Sequence, residues 1–170
     1  MASRKAESAA SPPRKQSAGI LVYRLSAQNL EVLLVHPGGP FWAKKDDGAW
    51  FIPKGEINPA EAPLAAAYRE FHEELGFAAP AGEPLDLGTV KNKSGKLIYC
   101  WALRGDLDLA AFHSNTFALE WPPRSGKQRE FPEVDRAVYF GIEAATQKMH
   151  PAELPLLERL LTLLREQVRT

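Results

Sequence analysis

The chain has 170 residues, 45% hydrophobic and 25% charged, with 21 Lys plus Arg balanced by 21 Asp plus Glu. That is one domain's length with enough apolar material for a two- or three-layer core, and the zero net charge leaves no global basic field to recruit nucleic acid. Cys100 is the only cysteine, which excludes an intramolecular disulfide. Without a long apolar run or an apolar secretion core, the expected setting is cytoplasmic, with no membrane partner.

Residues 1–16 are rich in Ala, Ser, Pro and positive charge with no apolar period, which reads as a disordered tail ahead of a single domain over 17–170. Residues 18–25 and 30–36 read as two strands joined by a polar turn at 26–29. A long loop, 36–48, follows, with Gly38, Gly39, Phe41, Trp42, Lys44 and Lys45. Loops of that length are uncommon unless they serve a function, so this one is a candidate lid or nucleotide contact through Trp42. Residues 50–53 form a short extended segment leading into a Lys54-Gly55 turn.

Residues 60–75 read as a helix. Leu64, Ala67, Tyr68, Phe71 and Leu75 recur at helical spacing as one apolar stripe. Pro63 stands in the opening turn, where its missing N–H does no harm, and Gly76 stands where a left-handed stop is expected. Beyond it, 85–91 and 96–104 suit a hairpin around Asn92-Lys93-Ser94-Gly95. Residues 117–121 suit a strand, 122–131 a basic loop, and 136–140 another strand. A short helix is expected at 143–148. A longer one is expected at 155–168, with Leu157, Leu160, Leu161, Leu164 and Val168 facing the core. The order suits an α/β fold in which a mixed β-sheet lies between α-helices.

The chemistry concentrates between Gly55 and Phe77. Glu70, Glu73 and Glu74 are i, i+3 and i+4 neighbours on a helix face turned away from the apolar stripe. Like charges at those spacings each destabilise a helix by roughly 0.2–0.5 kcal/mol, and they crowd the end where the macrodipole disfavours them. Such a turn calls for a cation, and hard oxygen ligands point to Mg²⁺, with Mn²⁺ as a substitute. Arg69, one turn before Glu73, also suits a helix ion pair.

The full pattern, Gly-x5-Glu-x7-Arg-Glu-Phe-x-Glu-Glu-x-Gly-Phe over residues 55–77, resembles a complete Nudix box, and residues 18 to about 165 resemble a whole Nudix hydrolase domain. The resemblance implies metal-assisted attack on a diphosphate linkage. Glu70, Glu73 and Glu74 would bind the metal, the Lys54 carbonyl would add a ligand, and Glu61 and Arg69 would support the constellation. A carboxylate then takes the proton of the attacking water. Glu70 is one candidate for that base. Glu133, just before a strand where Nudix proteins often supply an acidic group, is the other, with Glu130 and Asp135 competing for the same role.

The substrate signals lie outside the box. The segment from Trp50 to Gly55 and the Lys96-Leu97-Ile98-Tyr99-Cys100-Trp101 run resemble the diadenosine tetraphosphate hydrolase branch. Lys54 could clamp a polyphosphate, with Lys91, Lys93 and Lys96 on the hairpin tip and Arg124, Lys127 and Arg129 on the later loop extending the clamp. Tyr99 and Trp101 share a strand face opposed to Cys100, so Tyr99 could stack on a base, as Phe131 could from the loop. Three readings stand: hydrolysis of a dinucleoside polyphosphate or (d)NTP, removal of pyrophosphate from 5′-triphosphate RNA, and a nucleotide-sensing module without catalysis. The partner expected is a small nucleotide; nucleic acid is disfavoured by charge but not ruled out, and a homodimer is left open.

Overall fold

The computed structural model describes residues 15–168; the expected tail, up to residue 14, lies outside the described residues. A central strand, β1 (Ser17–Ser26), turns directly into β2 (Asn29–Pro37). Ala27 and Gln28 both take positive φ, 47° and 69°, the geometry of a tight primed hairpin turn. β1 also pairs antiparallel with the short β3 (Lys54–Glu56). On its other edge it pairs parallel with β5 (Leu97–Arg104), which is joined antiparallel to β4 (Leu85–Lys91). β8 (Val134–Gly141) closes the far edge beside β2. The order is β4-β5-β1-β2-β8, with β3 beside β1.

Both faces of this sheet are buried, which the strands display residue by residue. Ala18, Ile20 and Val22 of β1 join Leu33 and Val35 of β2 on one face. They pack against Ala66, Ala67, Phe71 and Leu75 of α1 (Pro63–Leu75). Leu21, Tyr23, Val32 and Leu34 alternate onto the opposite face. There they meet Ala145 of α2 (Ile142–Lys148) and Leu156, Leu157 and Leu160 of α3 (Leu154–Val168). Fully burying one Leu, Ile or Phe side chain contributes about 1.5–3 kcal/mol, so the two clusters together hold the three-layer arrangement. This is the mixed sheet between helices that the pattern of elements implied.

Differences from the sequence reading are local. α1 starts at Pro63, and Gly76 closes it at φ 82°. Its buried stripe takes Ala66 beside Ala67, Phe71 and Leu75. The stretch read as a basic loop at 122–131 contains a strand, β7 (Gln128–Pro132), paired with β6 (Thr116–Glu120). Its sequence lacks apolar alternation because the hairpin stands off the core and exposes most of its residues. β8 starts two residues early, since Val134 is buried and pairs with Pro37. At the chain's end Val168 is 85% exposed, so the α3 stripe stops contributing to the core before it. No helix among the described residues is long and apolar enough to cross a membrane.

Candidate active site

The site is built on the strap 50–54, which is fixed by hydrogen bonds on every side. Phe51 exchanges a pair with Val35 of β2, at 2.8 and 2.9 Å, and the Pro53 carbonyl accepts from Ile20 of β1 at 3.1 Å. From the other layer, the Trp50 N–H donates to Lys148 O at 3.0 Å and the Trp50 carbonyl accepts from His150 at 2.8 Å. The Ile52 N–H donates to the Glu153 carboxylate at 2.9 Å, and the Lys54 N–H to the Glu74 carboxylate at 3.2 Å. Lys54 therefore leaves the strap at a position locked by both layers.

Across from the strap, α1 presents its carboxylates. Gly55 is a glycine because a Cβ there would fall on the Glu70 carboxyl. Arg69 organises the box from the middle. Its guanidinium forks onto Glu61, with Nε and Nη2 each 2.9 Å from a carboxylate oxygen. Nη2 also donates to the Glu56 carbonyl at 2.9 Å. Nη1 donates to Glu70 at 2.8 Å and to Glu73 at 3.2 Å. The fork holds the Glu61 carboxyl down to about 2, helped by the Asn58 N–H. The same contacts raise the Arg69 guanidinium still further above its ordinary value. Arg69 thus ties Glu61 to the Glu70 and Glu73 carboxylates of the helix.

The carboxylates expected to carry the chemistry show the opposite signature. Burial pushes Glu74 up to about 8, against the pull of the Lys54 charge and N–H. Glu70 is raised by burial first and by the charges of Glu73 and Glu133, against the hydrogen bond from Arg69. Glu133 is raised by burial and by Glu73. Its approach to α1 is set by the backbone: the Glu133 N–H donates to Asn115 O at 2.8 Å, while the Asn115 N–H donates to Glu73 O at 3.1 Å. The Gly38 N–H holds the Glu133 carbonyl at 3.0 Å.

Carboxylates that the protein crowds and desolvates without full compensation suit a hard divalent cation. Among the described residues no three such side chains already close round one point. Arg69 takes up Glu70 and Glu73, and the Lys54 N–H takes Glu74. The side chains brought within electrostatic reach of one another are oxygen donors throughout: Glu73 and Glu133 act on Glu70, and Glu70 and Glu133 on Glu74. Such a set fits Mg²⁺ or Mn²⁺ and not a thiophilic metal.

Beside the strap opens a cavity of about 350 Å³, walled by Trp42, Phe51, Lys54, Ile98 and His150 and rimmed by Asn92, Lys93 and Ser94. The Phe51 and His150 rings stack at 5.1 Å with 20° between planes, and Trp42 stands edge-on to Phe51 at 5.5 Å. His150 Nδ1 accepts from Ala152 N–H at 3.2 Å. The loop bearing Trp42 is tied down by His36, which is fully buried. The His36 ring nitrogens reach Asp135 at 2.8 Å and the Lys45 carbonyl at 2.7 Å.

Of the expected substrate contacts, Lys54, Trp42 and Lys93 line this cavity, and Tyr99, Lys96 and Phe131 do not. Tyr99 and Trp101 share a face, as alternation requires, but that face joins the cluster around α1, with their rings stacked on each other at 6.4 Å. Ile98, one residue away, is the strand position that reaches the cavity. Lys96 lies 3.7 Å from Glu56 at the box loop. Phe131 sits on β7, tilted against Phe117 at 6.1 Å with Arg129 over its ring. Phe51, His150 and Glu153 escaped the sequence reading. Phe51 was visible only as the residue after Trp50, and nothing in His150-Pro151-Ala152-Glu153 marks a site.

A family model described as NUDIX domain matches residues 13–160. Over 48 residues the chain is 47% identical to an RNA pyrophosphohydrolase of Cellvibrio japonicus, covering 27% of this chain and 28% of that protein. Over 51 residues it is 42% identical to an RNA pyrophosphohydrolase of Pseudomonas savastanoi pv. phaseolicola, covering 29% and 32%. The chain thus matches less than a third of the length of these curated relatives. Among solved structures, a C. elegans Ap4A hydrolase binary complex superposes with a TM-score of 0.65 at 22% identity, covering 89% of this chain and 99% of that one. The NUDIX domain of Shewanella oneidensis NrtR, complexed with ADP ribose, gives 0.64 at 16% identity, covering 91% and 90%. At these identities the two superpositions speak for the fold.

Proposed function

The chain belongs to the Nudix family, and from that premise we propose that it is a Mg²⁺-dependent pyrophosphohydrolase of nucleoside-diphosphate-linked substrates, a dinucleoside polyphosphate or a (d)NTP. The observation that carries the reading is the position of Lys54, whose N–H touches Glu74 while its side chain lines the aromatic cavity. A ligand with a base in the cavity has its phosphates at the carboxylates of α1. Stacking on an aromatic side chain is worth about 1–3 kcal/mol per base, and Trp42, Phe51 and His150 offer such surfaces.

Glu70, Glu73, Glu74 and the Lys54 carbonyl would hold the metal. When bound, the ion neutralises phosphate oxygens and lowers the pKa of a coordinated water. The chain's own residues do the rest. Lys54 places its ammonium against a phosphate oxygen. Glu70, partly desolvated and set against Gly55, takes the proton of the attacking water at its carboxylate. Arg69 keeps Glu70 and Glu73 in register, with Glu61 as its anchor. Glu133, raised by burial and by the charge of Glu73, is the second candidate base.

The local identity to RNA pyrophosphohydrolases favours a second reading, removal of pyrophosphate from a 5′-triphosphate RNA end. The zero net charge weighs against an extended RNA partner. The deciding experiment is product analysis with Mg²⁺ and a panel of diadenosine tetraphosphate, NTPs, dNTPs, a dinucleotide cofactor and 5′-triphosphate RNA, with Glu74→Gln as control. Dominant, Glu74-dependent cleavage of a nucleotide substrate is the expected result. Preference for the RNA promotes the second reading, and nucleotide binding with no cleavage anywhere replaces both with a sensor.

A further inference from the structure

Glu153 is the one acidic residue among the described residues that is fully buried, at 1% exposure. It lies in a 3₁₀ turn (Pro151–Glu153) between α2 and α3, remote in sequence from the box. Its two carboxylate oxygens have separate partners. Oε1 accepts the Ile52 N–H at 2.9 Å, and Oε2 lies 2.8 Å from Lys54 Nζ. One side chain therefore grips the strap twice, at the backbone of one residue and at the side chain two residues on.

A neutral side chain could accept from Ile52 equally well. A buried carboxylate is costly unless it is paired, and the partner of this one is the Lys54 ammonium. That ammonium lies 4.3 Å from the centre of the Phe51 ring, at the cavity wall. The charge of Lys54 also acts on Glu74. Released from Glu153, the flexible lysine has Glu74, on which its charge already acts, as an alternative partner. An ammonium has three N–H donors; one goes to Glu153, which leaves two for phosphate oxygens.

We propose that Glu153 is the positioning residue for Lys54, holding its ammonium at the wall of the aromatic cavity for a substrate phosphate and off the metal-facing carboxylates of α1. The inference rests on the pyrophosphohydrolase reading above. It adds that the grip on phosphate is set from the opposite layer of the fold, by a buried carboxylate at the cavity's edge that acts through the lysine.

The test is a cycle of Glu153→Gln, Lys54→Met and the double variant in the full-length protein. Two quantities are read: the Kd for ADP in the presence of a chelator, and KM and kcat for diadenosine tetraphosphate with Mg²⁺. Glu153→Gln keeps an acceptor for Ile52 and removes the charge. It is expected to raise Kd and KM roughly tenfold, the scale of one charge-assisted hydrogen bond, with kcat nearly unchanged. Lys54→Met strands the buried carboxylate and lowers Tm. Adding Glu153→Gln to it restores Tm while leaving the ADP Kd where Lys54→Met put it. That comparison holds even if Glu153→Gln alone does not fold. Unchanged ADP binding in Glu153→Gln, or losses that multiply in the double variant, overturn the role of Glu153 alone. A wild-type protein that neither binds ADP nor cleaves a phosphoanhydride overturns the underlying reading, and this one with it.

Discussion

The Glu70 carboxyl lies directly over the α-carbon of Gly55, so close that a methyl group added to that glycine would occupy the carboxyl's own position. The opening glycine of the box is thus required for space, because β3 and α1 meet at that point. Gly55→Ala must push Glu70 away from the strap or part α1 from β3. We expect kcat to fall by about a hundredfold, the scale of losing one well-placed acid or base group. Tm should drop only modestly, since the core clusters are untouched. A Gly55→Ala protein with wild-type kcat would mean that Glu70 does not need its observed position.

The raised Glu74 gives a pH dependence of stability. Its folded value, about 8, stands above the ordinary 4.5 because of burial. Between those values the unfolded chain releases the proton that the folded chain keeps, so stability is full below about pH 4.5 and declines as pH rises towards 8. Glu70 and Glu133 are shifted in the same direction. With a chelator present, Tm should therefore fall from pH 5.5 to pH 8 by on the order of 5 °C. Saturating Mg²⁺ should cancel most of that decline by binding the folded state. Glu74→Gln should flatten the chelator curve. A wild-type Tm that rises over this window would show that Glu74 is ionised without help.

Local signals in this chain were legible because they act locally. Pro63 and Gly76 bracket α1 through backbone geometry alone, and the alternation of Tyr99, Cys100 and Trp101 across β5 follows from the pleat. The carboxylate turn was readable for the same reason: its like charges fall on one helical face. Which sheet face Tyr99 would occupy depended on where α1 packs, and alternation cannot supply that. The cavity wall draws on Trp42, Phe51, Asn92 and His150, residues from four segments far apart in sequence. Glu153 is the extreme case, since a lone Glu ahead of a Leu-rich helix reads as an ordinary helix start. β7 was missed because Gln128–Pro132 pairs only with β6 and has no core face to impose alternation.

The choice of base separates Glu70 from Glu133. Both are raised by burial, but Glu70 also accepts from Arg69 and abuts the strap, whereas Glu133 reaches α1 through the Asn115 backbone bridge. Glu70→Gln is expected to lower kcat by about a hundredfold or more, and Glu133→Gln by much less. The pH–rate profile adds a second reading, because the variant that removes the base should lose the acidic limb. If Glu133→Gln abolishes that limb and Glu70→Gln keeps it, the assignment passes to Glu133.

The proposed recognition of a base divides the aromatic residues into two groups with opposite expected behaviour. Trp42 and His150 line the cavity, and each contacts the Phe51 ring. Tyr99 belongs to the cluster under α1 and stacks on Trp101. Trp42→Ala and His150→Ala should each raise KM for a nucleotide substrate about tenfold, the range of one lost stacking contact, with small changes in Tm. Tyr99→Ala should lower Tm by several degrees through lost packing and leave KM within about twofold. The contrast is sharpest with inorganic tripolyphosphate, which has no base. Its cleavage should be indifferent to Trp42→Ala and His150→Ala if those rings serve the base alone. A Tyr99→Ala protein of normal Tm and sharply raised nucleotide KM would move the base to the α1 side of the sheet.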